Sequence, residues 1–285
     1  MAFTAALQIS PALAALAALV LGLCIGSFLN VVILRFPRIL ERDWHRQAAE
    51  LRGEAVPEQD RFDLLHPRSR CPDCGHTLRL WENIPLLGWL LLRGRCSACG
   101  ARITLRYAAI ELLTGLLSVC AIGWFGVTAA GLGALLFTWC LIALAFIDLD
   151  TQLLPDDLTL PLLWLGLVFN LWGVFAPIDA AVIGAMAGYL SLWSVYWLFR
   201  LITGREGMGY GDFKLLAAIG AWFGWQVLPA VVVLASAVGA VVGVTLIVLR
   251  RHARGTPIPF GPYLAGAGLL ALYVGHPVAR QLGFT

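Results

Sequence analysis

Long apolar stretches that carry almost no charge run through most of this 285-residue chain and limit what it can fold into. A helix needs about 20 apolar residues to cross the hydrocarbon core of a bilayer. Eight stretches come near that length, at about 11–34, 105–124, 128–147, 158–175, 179–200, 213–225, 229–249 and 260–276. Only 13% of the residues are charged, against about 25% in soluble domains. The sequence therefore predicts an all-α polytopic membrane protein with about eight transmembrane helices.

The first stretch has no charged residue before Arg35. A secretory signal peptide carries its positive charge before the apolar core, and here the charge follows it. We therefore expect residues 1–34 to remain in the protein as the first transmembrane helix.

The basic residues indicate which side of the membrane each connection occupies. Thirteen of the 20 lie between Arg35 and Arg106, in the most polar part of the chain. With eight spans, one face collects the connections 35–104, 148–157, 201–212 and 250–259. Together with the helix-end residues Arg106, Arg200 and Lys214, that face holds 19 of the 20. That face should be cytoplasmic. A net charge of only +3 argues against nucleic acid as a partner.

Four of the seven cysteines form two CxxC pairs that are separated by 21 residues, and a glycine follows each pair directly. Such pairs predict a closed tetrahedral zinc site with a structural role. Disulfides, a redox pair and coincidence are the alternatives, but disulfides are rare in the cytoplasm. The proposed zinc ligands are Cys71, Cys74, Cys96 and Cys99. The chain then divides into the first helix (1–34), a cytoplasmic zinc-binding domain (35–104) and a membrane domain of about seven helices (105–285).

Acidic residues at the ends of apolar spans are costly and point to function. Asp148 ends one span directly after Ala145, Phe146 and Ile147, and Asp212 opens another after three glycines at alternate positions. A helix cap would be the purely structural explanation for Asp212, and also for Asp156 and Asp157, which follow a proline.

Asp148 and Asp212 should lie on the same face at similar depth, although the sequence does not prove that they meet. Two carboxylates brought together repel each other, so one would keep its proton while the other stays ionised. That pairing suits aspartic protease chemistry, in which one group activates water and the other polarises a carbonyl.

These motifs, in this order and spacing, resemble the type IV prepilin peptidase family of membrane aspartyl proteases. The resemblance covers nearly the whole chain and includes the two cysteine pairs, the Asp148 segment and a GxGD motif. Its further blocks are Gly26-Ser27-Phe28-Leu29-Asn30, Glu82-Asn83-Ile84-Pro85, Arg93-Gly94-Arg95-Cys96, Arg106-Tyr107 with Glu111, and Gly209-Tyr210-Gly211-Asp212.

The resemblance implies an inner-membrane enzyme of bacteria with its active site on the cytoplasmic side. It would cleave the leader of type IV prepilins or type II secretion pseudopilins after a glycine, with Asp148 and Asp212 as the catalytic pair. It would then methylate the new N-terminal amine with S-adenosylmethionine. The cytoplasmic segment is the expected location for methyl transfer, but no pattern singles out residues there; Glu82, Asn83 and Arg93 are candidates.

Two other classes of function fit parts of the sequence. A transporter or channel could use the intramembrane acids as a proton relay, although they lie at helix ends and none lies at mid-membrane. A non-catalytic scaffold of a secretion complex could use the zinc site alone. Proton-coupled flux in liposomes without peptide cleavage would favour the transporter, and a scaffold would keep its function when the aspartates are substituted but lose it when the cysteines are.

Overall fold

The computed structural model describes residues 10–54, 61–249 and 258–281, with side chains in the last range up to residue 274. Over these residues the fold is helical, and only two isolated β-bridges occur, which confirms the predicted fold class. The helices are α1 (Pro11–Leu51), the short α2 (Leu87–Leu91), α3 (Leu105–Phe125), α4 (Ala129–Thr151), α5 (Asp156–Asn170), α6 (Ile178–Thr203), α7 (Tyr210–Phe223), α8 (Leu228–Val248) and α9 (Gly261–Gln281).

Each of the eight predicted spans coincides with one of the longer helices, but these helices differ in length. Among the described residues, five are long and apolar enough to cross a membrane: α1, α3, α4, α6 and a span that includes α8. Helices α5 and α7 have 15 and 14 residues, or about 22 Å at 1.5 Å per residue. The number of membrane crossings therefore stays a prediction.

The chain forms two compact units, residues 1–123 and 124–285. In the first, α1 continues as one helix well past the expected end of the span at residue 34. The predicted domain boundaries stay a prediction.

Glycines let α1 and α3 approach closely. A Cβ on Gly22 would lie 2.5 Å from Ser118 Oγ, and one on Gly26 would lie 2.7 Å from the Glu111 Cα. Asn30 Nδ2 also donates to the Tyr107 carbonyl at 3.1 Å. The pair positions the polar segment that connects the two helices.

In the second unit, the short helix α7 is the central element. It packs against α5, α6 and α9, and nearly every residue from Asp212 to Trp222 is buried. A Cβ on Gly188 of α6 would lie 2.6 Å from the Leu216 carbonyl oxygen of α7. A helix enclosed by protein on several sides places its first turn inside the unit, and Asp212 belongs to that turn.

A buried amide fixes the far end of α7. Asn170, at the end of α5, donates from Nδ2 to the carbonyls of Ala221 and Trp222 at 2.8 and 2.9 Å. Its Oδ1 accepts from the backbone of Phe175 and Ala176, each at 3.0 Å. The side chain thus supplies partners for backbone groups at two helix ends at once.

Candidate active site and metal site

The four cysteines of the two CxxC pairs meet in the first unit. Their Sγ atoms all lie within 4.8 Å of one another, with Cys71 and Cys99 at 3.8 Å and Cys74 and Cys96 at 3.9 Å. Four sulfurs at about 2.3 Å from a tetrahedral zinc would be about 3.8 Å apart. The cluster therefore has the dimensions of a zinc site.

The two cysteine loops have the same backbone geometry. Gly75 and Gly100 have φ values of +73° and +72°, which favour glycine, and their N–H groups donate to the carbonyls of Cys71 and Cys96. Around the second loop, the backbone N–H groups of Cys99 and Ala98 donate to the Cys96 sulfur and lower the pKa of that thiol to about 7. Such donors favour the thiolate form that binds a metal.

In the second unit, Asp148 lies near the end of α4 with only 5% of its surface exposed. Its Oδ2 accepts a hydrogen bond of 2.9 Å from the backbone N–H of Gly261, the first residue of α9. The carboxylate is thereby fixed in the protein interior at the place where α4 and α9 meet.

Asp212 is equally buried, at 6% exposure, and is the third residue of α7. Asp148 lies near enough for its charge to act on Asp212, and that the two act as a catalytic pair stays a prediction. Among the described residues, Asp212 Oδ1 has no hydrogen-bond partner. The N-cap of α7 is Gly209, so Asp212 is not the N-cap residue, although its carboxylate accepts a hydrogen bond from the Gly209 backbone.

The glycine before Asp212 allows the elements to converge. A Cβ on Gly211 would lie 2.6 Å from Cβ of Leu154, and one on Gly261 would lie 3.2 Å from Leu154 Cδ1. Leu154 therefore lies between the first residues of α7 and α9, in the connection that leaves α4. The GxGD glycine is needed here for close approach.

The neighbouring aspartates have different environments. Asp150, Asp156 and Asp157 are all exposed. Asp156 and Asp157 are the first two residues of α5 but do not cap it, because the N-cap is Pro155 and no side-chain cap is present. The cap explanation for these two residues was wrong. Asp156 instead pairs with Lys214 of α7 at 2.6 Å.

Sequence reasoning missed Gly261. The segment Pro259-Phe260-Gly261-Pro262 gave no signal beyond the start of an apolar stretch, because its role depends on a backbone N–H and not on a side chain. A hydrogen bond to a residue 113 positions away in the chain has no signature in local composition.

Comparisons with known proteins decide the family. Residues 20–125 match the model of the bacterial peptidase A24 N-terminal domain, and residues 135–244 match that of the type IV leader peptidase family. No solved structure matches the chain.

Three similar proteins are named prepilin leader peptidase/N-methyltransferase. The one from Pseudomonas putida is 54% identical over 98% of both chains. The one from Stutzerimonas stutzeri is 57% identical over 93% of this chain and 92% of its own. The one from Aeromonas hydrophila is 58% identical over 91% and 90%.

The chain belongs to the type IV leader peptidase family. The two matched domains separate the described features, since the cysteine cluster lies in the first and both buried aspartates lie in the second. The recognition made from the sequence motifs is thus confirmed, and with it the multi-pass membrane character of the chain.

Proposed function

We propose that this chain is a prepilin leader peptidase and N-methyltransferase, as its relatives are named, with Asp148 and Asp212 as the catalytic pair. The observation that carries the peptidase assignment is two buried carboxylates at converging helix ends, near enough for the charge of one to act on the other. Burying two acids close together is costly, so acids kept at such a place are candidates for function. The exposed Asp150, Asp156 and Asp157 lack this arrangement.

The pair can hydrolyse a peptide bond without a covalent intermediate. One ionised carboxylate takes a proton from water, and the water oxygen attacks the carbonyl carbon of the scissile bond. The protonated partner donates a hydrogen bond to the carbonyl oxygen as charge develops there. When the C–N bond breaks, the leaving amine takes a proton from the pair. The unpartnered Oδ1 of Asp212 leaves one carboxylate oxygen available for water or substrate.

The substrate we propose is a type IV prepilin or type II secretion pseudopilin, cut after the glycine that ends its leader. The site belongs to a bacterial inner membrane protein and faces the cytoplasm, where its basic residues are concentrated. There the leader of the substrate lies in water and its apolar helix lies in the bilayer.

The cysteine cluster would hold a structural zinc ion. Four sulfurs complete a tetrahedral site and leave no position for substrate. The loops around it have little apolar core, so metal binding would supply much of their folding free energy.

S-Adenosylmethionine would be the methyl donor of the second activity. When bound, it supplies an electrophilic methyl group to the newly exposed amine of the mature pilin. The amine would first lose a proton to water. Transfer of the methyl group to its nitrogen would break the sulfonium S–C bond and leave S-adenosylhomocysteine.

Cleavage of a full-length prepilin by purified protein in detergent tests the assignment. We expect wild type to produce mature pilin and Asp148→Asn and Asp212→Asn each to reduce cleavage by at least about 1,000-fold. Asp150→Asn and Asp157→Asn are matched controls and should retain activity. Cleavage at the wild-type rate in the Asp148 variant would contradict the assignment of Asp148 and Asp212 as the catalytic pair. Proton flux into liposomes without any cleavage would favour a proton relay instead.

A further inference from the structure

A cavity of about 560 Å³ lies within the first unit, and neither the peptidase site nor the zinc site accounts for it. Its walls come from the middle of α1, the start of α3 and the polar segment between them, and the cysteine cluster contributes only two residues at one edge. The volume is in the range of small-molecule sites, about 300–1,000 Å³. A zinc ion would fill only a small part of it.

The strongest feature of the cavity wall is the carboxylate of Glu82. The residue is only 6% exposed. Its Oε2 accepts from the backbone N–H of Arg79 at 2.7 Å and lies 3.3 Å from His76 Nε2. Its Oε1 is buried and has no hydrogen-bond partner in the part of the chain that the structure describes. A buried carboxylate oxygen without a partner is costly, and a ligand that donates a hydrogen bond would remove that cost.

Other groups in the wall suit a ligand with both polar and aromatic parts. A second buried carboxylate, that of Glu111, is held by the Leu86 backbone N–H at 2.7 Å. The ring of Trp89 is fixed by its hydrogen bond to the Ile103 carbonyl at 3.2 Å and offers a flat apolar surface. The lining also includes Arg35, Arg38, Arg70 and Arg102, so the cavity combines both signs of charge with an aromatic face.

S-Adenosylmethionine has the complementary groups. It carries positive charge on its sulfonium and on its ammonium and negative charge on its carboxylate, and its ribose hydroxyls donate hydrogen bonds. Carboxylates bind ribose hydroxyls in other nucleotide sites, and aromatic rings stack on nucleobases. Among the described ion pairs, neither carboxylate of the wall is paired with an arginine: Glu82 lies against His76 and Ser97, and Glu111 accepts from the Leu86 backbone N–H.

We propose that this cavity is the S-adenosylmethionine site and that Glu82 Oε1 accepts a hydrogen bond from the ammonium or a ribose hydroxyl of the ligand. The inference rests on the proposed function, because only a methyltransferase needs this donor. Residues Ser27 and Asn30 of α1 line the same cavity, just before the chain becomes polar at Arg35. The cavity therefore lies near the depth at which a mature pilin would present its N-terminal amine.

A purely structural role for Glu82 predicts different behaviour. In that case the residue would only close the Arg79–Glu82 turn and support His76 beside the cysteines, so its loss would affect folding and zinc content but not ligand affinity as such. The test therefore measures binding, metal content and stability on the same full-length protein.

Binding of radiolabelled S-adenosylmethionine by equilibrium dialysis is the direct measurement. We expect Glu82→Gln, which keeps the shape of the side chain, to weaken binding by about 10- to 100-fold, with one zinc ion per chain and the thermal unfolding midpoint unchanged. Glu50→Gln alters an exposed carboxylate on α1 and should bind as wild type does. Wild-type affinity in the Glu82 variant would overturn the assignment.

A second measurement does not depend on a variant that folds. Ultraviolet crosslinking of radiolabelled S-adenosylmethionine to the wild type should label peptides within residues 27–38 or 61–111, and S-adenosylhomocysteine should suppress the labelling. Labelling confined to other peptides would reject the cavity. If the wild-type protein neither cleaves nor methylates prepilin, the proposed function is rejected. If it does both but the crosslink labels peptides outside these ranges, only the assignment of the cavity is rejected.

Discussion

The Asp148 carboxylate is held in position by a backbone N–H group, that of Gly261. The Gly261 N–H donates to Asp148 Oδ2, while Cα of the same residue faces that oxygen so closely that a Cβ would lie 2.6 Å from it. A real Cβ atom essentially never lies that close to another atom, so either the carboxylate or α9 would have to move. Gly261 is in this sense a positioning residue for Asp148.

Gly261→Ala should therefore lower the cleavage rate constant by about 100-fold, the cost of displacing a reacting group by about 1 Å. We expect KM to change little, since the added methyl group acts on a carboxylate rather than on bound substrate. Single-turnover cleavage of prepilin measures both. Gly266→Ala is the control, because a Cβ there meets no atom within 4 Å, and equal loss in both variants would contradict the argument.

At the scale of elements, the two cysteine loops and the end of α7 are stabilised in two different ways. The loops bring four sulfurs within 4.8 Å of one another, and a metal ion would join them. The end of α7 is buried and receives two hydrogen bonds from Asn170, whose other two bonds go to the connection between α5 and α6. Each device can be removed by one substitution.

Cys71→Ser or Cys96→Ser should release the zinc ion, because serine is a poor ligand for it. Metal analysis of the purified protein should give about one zinc ion per wild-type chain and much less in either variant. Cys120→Ser changes an exposed cysteine in α3 and should keep the metal. Full zinc content in both loop variants would contradict a four-cysteine site.

Asn170→Ala should lower the free energy of unfolding by about 3 kcal/mol, because it leaves two carbonyls and two N–H groups without partners. Thermal unfolding in detergent would show this as a lower midpoint. The neighbouring Leu171 is 64% exposed, so Leu171→Ala should have a much smaller effect. Similar midpoints for the two variants would mean that water replaces the lost bonds.

For the whole molecule, the distribution of charge and of apolar helices gives the clearest expectation. Arg200 and Arg205 flank the connection between α6 and α7, whereas the connection between α5 and α6 has no basic residue. Basic residues remain on the cytoplasmic side when a membrane protein inserts. The end of α7 that carries Asp212 should therefore face the cytoplasm.

Epitopes inserted after Gly204 and after Gly173 test this orientation. Antibody should reach the first only in inside-out vesicles and the second only in right-side-out vesicles. Both glycines have positive φ values and open space around them, so the insertions should be tolerated. Access to both epitopes from one side would mean that α6, which lies between them, does not cross the membrane as predicted. Most of the predicted cytoplasmic connection 250–259 lies outside the described residues.

Much of the candidate site could be predicted from the sequence because its residues belong to short motifs with recognisable spacing. Two CxxC pairs, each followed by glycine, specify a local turn and four sulfurs, whatever the remaining structure does. Charge-free stretches of about 20 residues specify helices in a membrane. Asp148 and Asp212 were conspicuous because each interrupts or borders such a stretch.

Local composition and spacing were enough to specify the helical membrane fold, the four cysteines and the two aspartates at span ends. Other features came from the folded chain: α7 is enclosed, Asp156 pairs with Lys214 instead of capping α5, Gly261 holds Asp148, and Glu82 has an unpartnered oxygen in a cavity. These features join residues distant in the chain or depend on backbone groups common to all residues. Their energies come from long-range packing and from burial, which no local pattern encodes.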